Sequence, residues 1–210
     1  MTEHGSNAET ATPRGTARRT AICEAVLDLA ATGGSRAVSH PAIDRRLELP
    51  RGSTSYYYRT RRELLDAAIT HLTGASRDAF HTALDQKRDF SIESATDLIT
   101  TQLDLLLGPR RRDALARYAL SIDSALGDDL RTALAGCLFS LPAAQSLMSA
   151  FGAPDPHRAA HDLISLLEGL LFDRLHGTRS LTHIEPGTPA GLADLRPAVH
   201  QWLTTLTSHT

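Results

Sequence analysis

Three observations predict an all-α fold, a three-helix N-terminal unit followed by a helical bundle. Apolar residues recur three and four apart along most of the chain. No segment alternates apolar and polar residues as a half-buried strand does. Ser, Asp, Gly and Pro fall between the periodic runs, where helices are capped and stopped. The 210 residues, 41% of them hydrophobic, suffice for one or two domains with a full core, and no internal repeat or low-complexity tract breaks the pattern.

Residues 1–14 mix Thr, Gly, Ser, Asn and Pro with charge and read as a disordered arm, with Arg14, Arg18 and Arg19 able to reach DNA. The first helix runs from about Thr16 to Thr32, with Ile22, Val26 and Leu29 on one face, and Gly33 and Gly34 stop it. A short amphipathic helix follows over Pro41 to Leu47: Ser39 is a good N-cap, Pro41 sits in a tolerant first turn, and Ile43 and Leu47 share a face. Glu48, Leu49 and Pro50 supply a turn, because Pro50 biases Leu49 away from helical angles and can itself open the next helix. That helix, from about Arg51 to Tyr57, carries the small residues Gly52, Ser53, Thr54 and Ser55. They let it approach a phosphate backbone closely, and the Tyr56 and Tyr57 hydroxyls can donate to phosphate oxygens. The stretch from Leu49 to Leu65 thus reads as the DNA-reading half of a helix-turn-helix, with Arg59, Arg61 and Arg62 adding charge behind it.

From Thr60 a long helix runs to about Gln86 on Leu64, Leu65, Ala68, Ile69, Leu72, Ala75, Phe80 and Leu84, linking the DNA unit to the remainder. Another starts after Ser91 and ends near Gly108 and Pro109, and the next spans Arg111 to Ala125. The segment from Gly127 to Gly152 holds Pro142, which must kink or split it. Asp155 and Pro156 cap and open a helix through Leu163, Leu166, Leu167, Leu170, Leu171 and Leu175. Thr178 to Gly187 is loop, and the last of about nine helices begins near Asp194 with Pro197 in its first turn, carrying Val199, Trp202, Leu203 and Leu206.

The residues Leu49, Gly52, Ser53, Tyr57, Tyr58, Thr60, Arg61 and Leu64, with Ser39, Ile43 and Leu47 upstream, resemble the DNA-binding signature of TetR-family transcriptional regulators. The resemblance in motif covers residues 16 to 66; beyond it the chain matches in length and helical character. It implies a DNA-binding domain over 15–59, and a ligand-binding and dimerisation domain over 60–210. The protein would be a ligand-responsive repressor that binds a palindromic double-stranded DNA operator as a homodimer, with no cofactor. The DNA-contacting residues would be Ser39, Arg51, Gly52, Ser53, Thr54, Ser55, Tyr56, Tyr57 and Arg61, with Arg61 holding phosphate. Three positions depart from the family pattern: Glu48 replaces a usual turn glycine, Asp44 a small alanine, and Ser55 a frequent tyrosine. Glu48 in a left-handed conformation costs about 1 kcal/mol, which a packed domain absorbs. Ser55 shifts base contact to Arg51, Thr54 or Tyr56.

Charge supports this assignment. The net charge is −2, yet from Arg14 to Arg62 ten arginines face only Glu24, Asp28, Asp44 and Glu48. A basic end favours the DNA backbone by counterion release, and the acidic remainder stays off it. No run of apolar residues is long enough to span a membrane, and Met1 to Thr12 lacks the apolar core of a signal peptide, so a cytoplasmic protein with no membrane partner is expected. Cys23 and Cys137 read as buried free thiols.

The helix bearing Leu163, Leu167, Leu170 and Leu171 has more apolar surface than one intramolecular neighbour needs. With Trp202 and Leu206 of the last helix it reads as half of a four-helix dimer interface, the alternative being ordinary core packing. The family's ligand pocket lies among the central helices, and Tyr118, Ser121, Phe139, Met148, Phe151 and Phe172 are the candidates to line it for a small-molecule effector. Among ten histidines only His157 and His161 have ligand spacing, without a third ligand, so no metal site is expected. There is no glycine-rich phosphate loop and no Gly-x-Ser-x-Gly elbow; a small-molecule-binding helical-bundle enzyme or cofactor-binding protein is the alternative from another class.

Overall fold

The structure, a computed structural model, describes residues 13–85, 91–123 and 127–208, with side chains from residue 75 to 85 outside the described part. The arm over residues 1–12 and the apolar positions Ala75, Phe80 and Leu84 therefore lie outside the described residues. The fold is all-α. Ten α-helices and two 3-10 turns make up the described residues, in the order α1 (Pro13–Gly33), α2 (His40–Arg46), α3 (Ser53–Tyr57), α4 (Arg61–Asp85), α5 (Ile92–Leu107), α6 (Arg111–Ser121), α7 (Asp128–Ala135), α8 (Leu141–Ala150), α9 (Pro156–His176) and α10 (Pro189–Thr207).

Local chemistry explains most boundaries. Ser39, Ser91, Ser140, Asp155 and Thr188 each accept a backbone N–H of the first turn with their side chains, and proline follows in the first turn at all of them except Ser91. Four expectations shift. Helix α1 opens at Pro13 rather than near Thr16 and so takes in Arg14, the last residue of the expected arm. Pro142 splits its segment outright: Ser140 becomes a new N-cap and the chain makes two helices, α7 and α8, giving ten in place of nine. Helix α10 begins at Pro189 rather than Asp194, because Thr188 caps it, and this puts Pro197 in the helix interior. The loop after α9 contains a 3-10 turn over Thr178–Leu181.

Two hydrophobic cores form. The first joins Ile22, Val26 and Leu27 of α1, Ile43 of α2 and Leu64, Leu65, Ile69 and Leu72 of α4 to Ala116 and Leu120 of α6 and Leu130 and Leu134 of α7. The second holds Leu103 of α5, Met148 of α8, Leu163, Leu167 and Leu171 of α9, and Leu195, Val199 and Leu203 of α10. Helix α6 serves both, since Ala114 turns to the second core while Ala116 and Leu120 turn to the first. Cys23 and Cys137 are buried free thiols, and burial raises both, Cys137 to about 11. No helix among the described residues is long and apolar enough to cross a membrane.

Candidate nucleic-acid interface

Helices α2 and α3 are too short to be stable alone, so their relative pose rests on specific contacts. Ile43 is fully buried and anchors α2 to α1 and α4. The turn then reverses through Glu48, which adopts φ +53°, the left-handed conformation anticipated for it, and Gly52 at φ +91° opens α3. His40 Nε2 lies 2.7 Å from the Tyr58 carbonyl oxygen and donates to it, tying the start of α2 to the end of α3.

The contact that orients α3 is Asp44. Its carboxylate, 4% exposed, accepts from the Gly52 N–H at 2.7 Å, the Thr54 N–H at 2.8 Å and the Thr54 hydroxyl at 2.6 Å. Burial pushes this carboxyl upward, but the bonds from Thr54 and Gly52 outweigh it and hold the group below the usual aspartate range. Two of the otherwise unpaired first-turn donors of α3 are thereby satisfied from the neighbouring helix rather than from a residue of α3 itself. The position that departs from the family pattern toward charge thus caps the recognition helix. The sequence signal was a lone acidic residue beside Ile43 on a helix whose next turn holds a threonine.

Thr54 consequently faces inward. It is fully buried and its hydroxyl proton is committed to Asp44, so it cannot contact a base; this corrects its place among the DNA-contacting residues. Arg51, Gly52, Ser55 and Tyr56 are exposed, Tyr56 at 84%, and form the outer face of α3 with half-buried Ser53, whose hydroxyl donates to the Pro50 carbonyl. Ser39 is exposed at the start of α2. Tyr57 packs edge-on to Tyr56, and the Arg19 guanidinium lies 5.5 Å from its ring centre and 5.4 Å from that of Tyr58. Arg19 therefore braces the tyrosines from α1.

Arg61 also differs from expectation. Its guanidinium donates to the Ser35 carbonyl at 2.9 Å, the Ser35 hydroxyl at 2.7 Å and Asp123 at 3.0 Å, which directs it into the junction with the end of α6. Arg62 likewise pairs with Asp129 of α7 at 3.1 Å. On the other side of the junction Arg112 of α6 bonds Glu24 and, at 3.2 Å, Asp28 of α1, while His71 of α4 reaches Glu24 at 2.5 Å. Of the arginines from 14 to 62 only Arg46, Arg61 and Arg62 pair with a described carboxylate, which leaves Arg14, Arg18, Arg19, Arg36, Arg45, Arg51 and Arg59 without an ion pair among the described residues.

The other candidate sites divide. Leu163, Leu167 and Leu171 are at most 5% exposed within one chain, so the chain's own second core covers them and a partner cannot; their assignment to a dimer interface is corrected. Leu170, Trp202 and Leu206 are partly buried against the same core, and the outward face of α9 presents His161, Ser165, Gly169 and Phe172. Of the six ligand candidates, Met148 is sealed in the core, Phe139 and Phe151 pack beside it, and Ser121 is exposed with its hydroxyl donating to the Arg117 carbonyl. Tyr118 donates to Glu168, which Arg117 holds by two bonds at 3.0 and 2.7 Å, and its ring meets Phe172 edge-on at 5.3 Å. None of these six lines the cleft formed by the described residues. The described cleft lies elsewhere, between the end of α5, the start of α6, the loop after α9 and α10, and Arg111, Arg174 and Arg179 line it. His157 and His161 lie with ring centres 6.0 Å apart and planes tilted by 32°, and no cluster of three metal-binding side chains occurs among the described residues.

A family model described as the tetracyclin repressor-like C-terminal domain matches residues 91–207, more than half of the chain. Solved structures align along nearly the whole length. A transcriptional regulator from Rhodococcus sp. Rha1 is 19% identical with a TM-score of 0.68, covering 90% of this chain and 95% of its own. A TetR-family transcriptional regulator from Rhodococcus sp. is 18% identical with a TM-score of 0.65, covering 91% and 100%. The multidrug binding protein EbrR, complexed with ethidium, is 20% identical with a TM-score of 0.62, covering 91% and 99%. At these identities the likeness is one of fold. Comparison with curated proteins returns no match.

Proposed function

The chain belongs to the TetR family of transcriptional regulators, and on that premise we propose that it is a ligand-responsive repressor that binds a palindromic operator as a homodimer in the cytoplasm. Residues 15–59 form the DNA-binding unit and residues 60–210 the effector and dimerisation unit. The observation that carries the reading is the outer face of α3, where Arg51, Ser55 and Tyr56 stand exposed on a helix locked from behind by Asp44. Arg51, Ser55 and Tyr56 read base edges, while Ser39, Tyr57 and the unpaired Arg45 and Arg59 hold phosphates. One such short helix reads too few base pairs to select a promoter, which requires a second copy about one DNA turn, roughly 34 Å, away.

The second copy docks on the outward face of α9 and the adjoining part of α10, where Phe172 is 49% exposed and Gly169 and Ser165 allow close approach. A small-molecule effector bound in residues 60–210 changes how α6 and α7 meet α1 and α4, through the Arg61 and Arg112 contacts, and so changes the separation of the two recognition helices. That EbrR holds ethidium on the same fold is consistent with an effector of drug size.

Gel-shift titration on DNA from the gene's own promoter tests the proposal. Four phosphate contacts per subunit would give log K a slope near −7 against log salt, about −0.9 per phosphate. Binding that showed no sequence preference at low salt would overturn it.

A further inference from the structure

The cleft between α5, α6, the 3-10 turn Thr178–Leu181 and α10 has a volume of about 240 Å³ and mixes apolar walls with arginines. Leu107, Ile184, Pro186 and Leu195 supply the apolar side. Three arginines against two aspartates leave its lining one positive charge in excess. The two carboxylates are already satisfied. Asp104 accepts the Gly187 N–H on both oxygens, at 3.0 and 2.8 Å, and Asp194 is held by Arg174, at 2.9 and 2.5 Å, and by Arg179. Arg111 is different. Of the three consecutive arginines that open α6, Arg110 pairs with Asp113 and Arg112 with Glu24, Asp28 and Asp113, whereas the Arg111 side chain makes no hydrogen bond or ion pair with any described residue. The hydroxyl protons nearby cannot compete for an anion, since Ser180 donates to the Gly177 carbonyl and Thr182 to the Arg179 carbonyl.

We propose that this cleft binds a small monocarboxylate with an apolar body, its carboxylate on the Arg111 guanidinium beside Arg179 and its hydrocarbon part against Leu107, Ile184 and Leu195. The exposed, unpaired Arg111 guanidinium beside the cleft's apolar wall offers a two-pronged, charged donor set that matches a carboxylate, gives a neutral alcohol only an uncharged hydrogen bond, and repels an ammonium. The volume corresponds to about eight water molecules, which suits a ligand of about ten non-hydrogen atoms. The inference rests on the regulator reading in one respect: the ligand engages the first turn of the helix whose next residue, Arg112, grips Glu24 and Asp28 of α1, so occupancy reaches the DNA-binding unit directly.

Isothermal titration of the full-length protein with octanoate, 1-octanol and octyltrimethylammonium tests the site, with operator binding read separately by gel shift. Saturable binding of one octanoate per chain is expected, with octanol at least tenfold weaker and the cation without binding. Arg111→Gln should weaken octanoate at least tenfold and leave the melting temperature and helical circular dichroism unchanged, because no protein hydrogen bond or ion pair is lost. Arg111→Lys should recover part of the affinity. Octanoate binding that survives Arg111→Gln, equal affinity for octanol, or no binding at millimolar concentration would overturn the proposal. A chain that binds octanoate in this Arg111-dependent way but ignores its promoter would overturn the regulator reading and leave the cleft assignment standing; the reverse result would do the opposite.

Discussion

Asp44→Ala provides the sharpest test of how this sequence holds a five-residue recognition helix. Three donors converge on the carboxylate, from the Gly52 N–H, the Thr54 N–H and the Thr54 hydroxyl, all within 2.6 to 2.8 Å. Gly52 is exposed and its N–H can turn to water when the carboxylate is gone, but both Thr54 donors are fully buried and cannot. Each buried donor left unpaired costs about 1–3 kcal/mol, so Asp44→Ala should destabilise the protein by about 3 kcal/mol. For a chain of this length that is a fall of about 9 °C in melting temperature. Asp44→Asn keeps one acceptor oxygen but turns an amide toward Gly52, and should lose about half as much. Urea denaturation followed by circular dichroism measures both, and fluorescence anisotropy on the operator measures the consequence. Operator affinity should fall further than global stability accounts for, because the bonds lost are those that pose α3. Asp44 has a folded-state value below that of the unfolded chain, so its contribution is present above about pH 4 and is lost as pH falls through the folded value. The gap between wild type and Asp44→Asn should therefore close in acid. A stability change under about 0.5 kcal/mol for Asp44→Ala, with operator affinity intact, would refute the capping argument.

Glu48→Gly should stabilise the fold by up to about 1 kcal/mol, because Glu48 sits at φ +53° and glycine adopts that conformation freely; a lower urea midpoint would contradict it. Arg61→Ala and Asp123→Asn should each cost about 1 kcal/mol, a modest value because Arg61 is partly solvent-exposed, and the double mutant should cost less than their sum. Strict additivity in that cycle would show that the junction contact carries no coupling. Phe172→Glu on the outward face of α9 should convert a dimer to a folded monomer with little operator affinity, whereas Leu167→Glu, 5% exposed, should unfold the second core. Analytical ultracentrifugation with circular dichroism separates these, and a Phe172→Glu dimer with native affinity would move the interface elsewhere.

Features whose physics is local were legible in the sequence. Helical periodicity, the caps at Ser39, Ser91 and Asp155, the strained turn at Glu48 and the breaking power of Pro142 all depend on residues within a turn or two of one another. Their outcomes follow from backbone hydrogen bonding and φ restrictions alone. Even there Pro142 left two solutions open, a kink or a split, and the cap offered by Ser140 decided for the split. What a face packs against is a different kind of fact. The leucines at 163, 167 and 171 mark an apolar stripe, and a stripe is equally served by a partner subunit or by the chain's own helices; within the chain α8, α10 and α5 cover these three leucines. The charged residues divide in the same way. Composition identified a basic N-terminal end, but only the fold could send Arg61 to Asp123, sixty-two positions away, and leave Arg51 and Arg111 without a carboxylate. Thr54 and Asp44 show the same limit across ten residues: the type of Thr54 suited a DNA-reading helix, yet the turn between α2 and α3 folded it against Asp44. A side chain's partner is set by the path of the whole backbone, which local spacing does not encode.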